Sequence, residues 1–155
     1  MKNKKLVIIF SILTIIWMGL IFAFSATPAK ESDNESKAII RSVVGKISDK
    51  DSNRNTEKYV DTLNKPFRKT LHATEYFILA GLIFMIFINI KDLNKLFIFL
   101  DIFICFLYAC SDEFHQKFII GRSPQFSDVL IDTIGSIICV GLFSFIYYKR
   151  KKLSK

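Results

Sequence analysis

The chain has little cysteine and no cysteine pattern. Its three, Cys105, Cys110 and Cys139, lie within or at the edge of apolar segments. Without a CxxC pair or a metal-ligand spacing they encode no metal or redox motif, and they read as soft packing residues in helices. Ser-x-x-Lys, a nucleophile elbow and HExxH are also missing, so none of these catalytic signatures is present. There is no internal repeat and no low-complexity tract. Nothing in this inventory implies a cofactor or a bound metal.

What is present is apolar bulk. The chain has 155 residues, room for one domain spanning residues 1–155, and 51% of them are hydrophobic, with 16 Phe. Mean hydropathy is positive. These values fit an all-α polytopic membrane protein rather than a soluble basic one. The net charge of +8 is concentrated at the ends: "MKNKK" opens the chain and "KRKKLSK" closes it. Such clusters flank hydrophobic spans and suit anionic lipid, so they do not point to nucleic acid.

Four transmembrane helices are expected. Residues 6–24, "LVIIFSILTIIWMGLIFAF", carry no charge and are too long for the core of a secretory signal, so a retained helix is predicted. The second span is predicted over 66–90, with Pro66 in its first turn. The third covers 96–116 and carries Asp101. The fourth covers 127–148, with Ser127 as N-cap, Asp128 near the positive end of the helix dipole and a basic stop after it.

Four spans put both termini on one side. The tails and the turn "KDLNK" (91–95) are rich in Lys and Arg, which makes that side cytoplasmic. Residues 25–65 and roughly 117–126 then face outward. Within 25–65, Ala38, Ile39, Val43 and Ile47 fall near one helical face, predicting a short amphipathic helix on the membrane surface or the bundle. "SDKDSNRNTEK" (48–58) reads as a solvated linker or turn.

On this topology the unusual polar residues share the outer face. Lys69, His72, Tyr76 and Leu79 form one helical stripe; Asp101, Cys105, Tyr108, Asp112, His115 and Gln116 form a second. Asp128, Asp132, Gly135, Ser136 and Cys139 form a third, whose small residues allow close helix approach. An acid inside a span costs about 2.5–3.5 kcal/mol, so such residues turn inward and find partners. The predicted polar pocket comprises Lys69, His72, Tyr76, Asp112, Glu113, His115, Gln116, Arg122, Asp128 and Asp132.

These residues carry a resemblance. Lys69-x-x-His72-x-x-x-Tyr76-x-x-Leu79, then Asp112-Glu113-x-His115-Gln116-x-Phe118-x-x-Gly121-Arg122, then Asp128-x-x-x-Asp132-x-x-Gly135 resembles the pattern of the VanZ-like family of small bacterial membrane proteins. "FSA" (24–26) resembles that family's F-S-S element, with Ala26 in place of the second Ser; residues 28–64 contribute nothing. The resemblance implies a multi-pass protein of the bacterial cytoplasmic membrane. It also implies a cell-envelope role that can include antibiotic resistance, as lowered susceptibility to the glycopeptide teicoplanin.

Three kinds of chemistry suit such a site. A binding protein would meet a phosphate or headgroup with Arg68, Lys69, Lys117 or Arg122 and a lipid tail with the helices below. Its partners would be membrane lipid, a lipid-linked cell-wall precursor or the lipid-tailed drug. An enzyme acting on an envelope lipid would use His72 and His115 with Asp112, Glu113 and Asp128 in acid–base work or as ligands of a metal. Its weakness is spacing, since Glu113 and His115 do not share a helix face. A proton relay through Asp101 and Asp132 is the third.

Overall fold

One helix organises the structure. α3, Asn53–Ile90, is 38 residues long and packs against all four others: α1 (Lys4–Ser25), α2 (Ala29–Ile47), α4 (Lys95–Gln116) and α5 (Phe126–Leu153). The computed structural model describes residues 2–47 and 53–153, and no strand occurs among them. At 1.5 Å per residue α3 is about 57 Å long, nearly twice the roughly 30 Å of a bilayer's hydrocarbon core.

Its start corrects the sequence expectation. Pro66, placed in the first turn of a span, lies well inside α3 instead. Proline deletes the hydrogen bond to the carbonyl of Thr62, but Thr62 is exposed, so water can take that carbonyl. Just before it, Val60 and Asn64 are buried and hold the early turns of α3 in register. Residues 53–58 of the expected linker are therefore helical; its residues 48–52 lie outside those described.

The expected amphipathic helix is α2, and it pairs antiparallel with the first turns of α3 as a helical hairpin. Contacts rise along α2 as they fall along α3. Ser36 donates to Asn64 Oδ1 (2.6 Å), Lys37 meets Asp61 (2.9 Å), and Arg41 grips both carboxylate oxygens of Glu57 (2.9 and 2.8 Å). Lys37 also sits 3.1 Å from Asp33 and holds that carboxyl below its ordinary value. Lys37, Arg41, Glu57 and Asp61 each follow the seam by the same helical offset, so they share one side of the hairpin. Ile39, Val43, Tyr59 and Leu63 precede it by one and are exposed on the other side.

Among the described residues three helices are long and apolar enough to cross a membrane: Lys4–Ser25, Glu57–Ile90 and Phe126–Leu153. α4 is not among them, because Lys95, Asp101, Asp112 and Glu113 interrupt its apolar run; its three acids are buried in the bundle. α1 is apolar nearly all round and buries only a seam of Thr14, Ile21 and Ser25. An apolar surface of that extent is at home in lipid. Against α3, α5 comes close at Gly135, where a Cβ would stand 2.2 Å from the carbonyl oxygen of Ala73. α5 also starts one residue before the expected N-cap: Ser127 lies in its first turn, its hydroxyl 3.2 Å from Asp128 Oδ1.

The two ends of the bundle are tied differently. At one end, the backbone N–H groups of Lys2 and Asn3 donate to the carbonyl of Asn89 (3.0 and 3.1 Å). Beside them the Asp92 carboxylate takes Lys2, Lys151 (3.0 Å) and the hydroxyl of Tyr147 (3.1 Å). Both terminal segments and the α3–α4 turn therefore meet there. At the other end lie the hairpin, the close of α1 and α4, and the start of α5.

Candidate functional site

At the hairpin end the chain must turn from α4 into α5 across residues 117–125. Gly121 makes the turn with φ +75°, a conformation other residues adopt only under strain, and a Cβ there would press on Ala29 at 3.3 Å. Arg122 follows and is a clamp. Its Nε donates to the carbonyl of Thr27 (2.9 Å), Nη2 to that of Phe24 (3.3 Å) and Nη1 to Oε1 of Gln116 (3.1 Å). The last carbonyls of a helix have no partner within it, so a guanidinium at the end of α1 satisfies both hydrogen bonding and the dipole. Partial burial draws the Arg122 guanidinium below its ordinary value, while Asp112, Glu113 and Glu75 oppose that.

The other predicted residues divide into supports and lining. Gln116 donates to Asp112 Oδ2 (3.2 Å) one turn earlier, which joins Asp112 to Arg122 in one chain. Glu113 reaches across to accept from the backbone N–H of Gln125, just before α5 begins. Asp132 is buried on α5; Ser136 donates to its carbonyl (3.2 Å) and lies 3.4 Å from that of Tyr76. The hydroxyl of Tyr76, Oδ1 of Asp112 and Oδ1 of Asp132 are buried with no protein partner among the described residues. A buried polar atom without a partner is costly, and none of these three residues lines either of the cavities described below. His115 departs from the rest. Its ring stacks on Phe22 of α1 (centroids 4.1 Å apart), and Tyr108 from the same stripe donates to the carbonyl of Met18 (2.6 Å).

Lys69 and His72 face open space. Lys69 Nζ lies 3.5 Å from Asp128, and Nδ1 of His72 lies 3.5 Å from Glu75. Arg68 and His72, one turn apart on α3, form a ridge between two cavities. One, of about 310 Å³, opens between the end of α1, α2 and α3; its lining includes Ile39, Leu71, Glu35, Glu75 and Arg122. The other, of about 290 Å³, lies between α3 and the start of α5 and is lined by Lys65, Lys69, Gln125 and Asp128 besides the ridge. The structure thus brings Lys69, His72, Arg122 and Asp128 to the cavity walls and places Asp112, Glu113, Gln116, Tyr76 and Asp132 in the buried layer.

Lys65, Glu35 and Gln125 line these cavities but were not among the predicted residues, and Arg68 was named only as a headgroup contact. Lys65, Arg68, Lys69 and His72 are spaced i, i+3, i+4, i+7, a stripe that becomes visible once α3 is known to begin before Pro66. Glu35 had no such signal, because only the hairpin fold carries it to the cavity. Lys117 is exposed and belongs to neither cavity.

Among the described residues no three His, Cys, Asp or Glu side chains gather as a metal site would require. What the arrangement offers is a cationic and hydrogen-bonding surface beside exposed apolar side chains, held by a rigid buried layer. No curated protein and no solved structure matches the chain. The model of one family, VanZ/LLP1, matches residues 10–147, which takes in all four segments of the sequence pattern and most of the chain. With its apolar helices this is a membrane protein, and it belongs to the VanZ/LLP1 family.

Proposed function

We propose that the protein spans the bacterial cytoplasmic membrane four times, with both termini cytoplasmic. In this reading it binds an amphipathic envelope ligand at its outward end, a lipid-linked cell-wall precursor or the lipid-tailed drug, and so lowers susceptibility to teicoplanin. Family membership supports a link to glycopeptide resistance. Connectivity supports the fourth span. α4 begins beside the tied termini and ends beside the close of α1, so if α1 crosses the bilayer, α4 crosses it too. Its 22 residues extend about 33 Å, long enough to do so, and its acids turn inward as a span requires. Basic residues at the tied end support the cytoplasmic assignment.

One observation carries the binding reading: the cavity between α1, α2 and α3 joins polar and apolar walls at the hairpin end. Phe24, Ile39 and Leu71 are exposed at it, while Arg68, His72, Glu75 and Arg122 supply charge and hydrogen bonds. Its volume is at the small end of the roughly 300–1,000 Å³ usual for ligand pockets, so it fits part of a headgroup rather than a whole precursor. Leu71→Asp and His72→Ala proteins, made to equal membrane abundance in a susceptible host, should lose protection against teicoplanin. Full protection by both would overturn the reading. The contact of His72 with Glu75 favours acid–base catalysis as a second reading. It requires that Glu75→Gln abolish protection while ligand binding stays intact.

A further inference from the structure

We infer that the second cavity, between α3 and α5, is an anion subsite: Lys65, Arg68 and Lys69 take the phosphate or diphosphate group of a ligand carried on an apolar chain. This rests on the binding reading above and adds which part of the ligand goes where.

Charge balance is the first reason. Among the described residues Asp128 is the one carboxylate lining this cavity, and it is occupied by Lys69 at 3.5 Å. Arg68 has Asp33 only at 4.0 Å, the outer limit of an ion pair, and Lys65 has no carboxylate within that reach among the described residues. Two cations thus face about 290 Å³ of open space with little neutralisation. The neighbouring cavity is different. It carries Glu35 and Glu75, and Arg122 there already donates three of its hydrogen bonds to the protein. An anion is therefore drawn to the α3–α5 side, while hydroxyl- and amide-bearing groups suit the other.

Donor geometry is the second. Arg68 presents a planar fork that can grip two phosphate oxygens, and the lysines on either side of it act as point charges. Because Nδ1 of His72 is turned to Glu75, the ridge of Arg68 and His72 can touch both parts of one ligand. The third is a path for the chain. Next to Gln125 at the cavity wall, Phe126, Leu130 and Ile134 are exposed at successive turns of α5 and lead away along its lipid-compatible face.

The test uses the full-length protein in nanodiscs of uncharged lipid, titrated with farnesyl diphosphate, farnesol and inorganic pyrophosphate. Farnesyl diphosphate should bind about tenfold or more tightly than either of the others, and added salt should weaken it. Lys65→Gln with Lys69→Gln should lower its affinity about tenfold, since each removes a charge-assisted contact. Both side chains are partly or fully exposed, and an unchanged melting temperature will show that the double variant folds. Wild-type affinity in that variant, or farnesol binding equal to the diphosphate, overturns the subsite. Pyrophosphate binding as tightly as farnesyl diphosphate overturns its lipid half. A Lys65, Lys69 variant that protects fully, beside a Leu71→Asp protein that does not, sinks the subsite and leaves the binding reading standing.

Discussion

Nη1 of Arg122 donates to Oε1 of Gln116 across 3.1 Å, and the same guanidinium holds the carbonyls of Phe24 and Thr27. One side chain therefore fastens the end of α1 to the end of α4. Arg122→Ala should destabilise the detergent-solubilised protein by about 1–3 kcal/mol, because it removes three hydrogen bonds and leaves the carbonyl of Thr27 and the amide oxygen of Gln116 without this donor, while the carbonyl of Phe24 keeps the N–H of Thr27. Arg122→Lys should recover little, since a single ammonium cannot span three acceptors lying in different directions. Thermal unfolding of the three proteins checks this; a lysine variant as stable as wild type would refute it.

Gly135 gives a sharper test of the packing between α3 and α5. A methyl group there would meet the backbone oxygen of Ala73 at 2.2 Å, and backbone cannot swing aside as a side chain does. Gly135→Ala should cost about 3 kcal/mol or more, or prevent folding. Gly141→Ala is the control. It lies on the same helix with nothing within 4 Å of a new Cβ, so it should be neutral or slightly stabilising.

The Asp92 cluster predicts a response to acid. Lys2 first, then Lys151 and Tyr147, hold this carboxyl well below the usual carboxylate range. A depressed folded value contributes stability at any pH above the unfolded value of about 3.9 and loses it as pH falls through the folded one. A spin label at the N-terminus should stay immobile at neutral pH and loosen only in strong acid. In Asp92→Asn the response to strong acid should disappear, and mobility at neutral pH should rise only modestly, since Lys2 and Asn3 keep their backbone bonds to Asn89.

Within the hairpin, buried and exposed contacts should differ in weight. Asn64 is buried and joins Ser36 to Asp33, so Asn64→Ala should cost about 1–3 kcal/mol by removing both of those hydrogen bonds, although Ser36 keeps the carbonyl of Ser32 and Asp33 keeps Lys37. Arg41→Ala removes an exposed pair with Glu57 and should cost about 1 kcal/mol or less. Hydrogen exchange of α2 amides, faster in the first variant and little changed in the second, is the measurement.

The four-span topology can be checked by labelling. In a background without Cys105, Cys110 and Cys139, Lys91→Cys and Lys58→Cys should react with an impermeant maleimide from opposite sides of the membrane. Reaction from one side alone would mean that α3 does not cross.

Much of the helical frame could be read in the sequence, and the errors have physical causes. An uncharged apolar run marked α1, and one that begins just after Asp132 marked α5, because a residue's own hydropathy decides whether it tolerates lipid. α4 was visible despite its acids, since Asp101, Cys105 and Asp112 recur on one helical face. The start of α3 was missed because Pro66 carries a strong local signal for a helix start, and pairing with α2 overrides it. The polar residues were expected in one pocket, yet His115 turns to Phe22 and stacks there. Which neighbour a half-buried ring meets depends on how the helices are rotated against one another, and periodicity leaves that rotation open.

Composition and periodicity by themselves determined that this is a helical membrane protein whose polar residues gather toward one end. Covalent spacing on a helix put Lys69 with His72, and Asp128 with Asp132, on common faces; the resemblance to the family, not periodicity, added Arg122, which lies in the turn between α4 and α5. Only the tertiary structure decided that Arg122 fastens α1, that Glu113 serves the start of α5, and that Arg68 and His72 divide two cavities. Those roles depend on contacts between residues far apart in the chain, and such contacts exist only once the helices have packed.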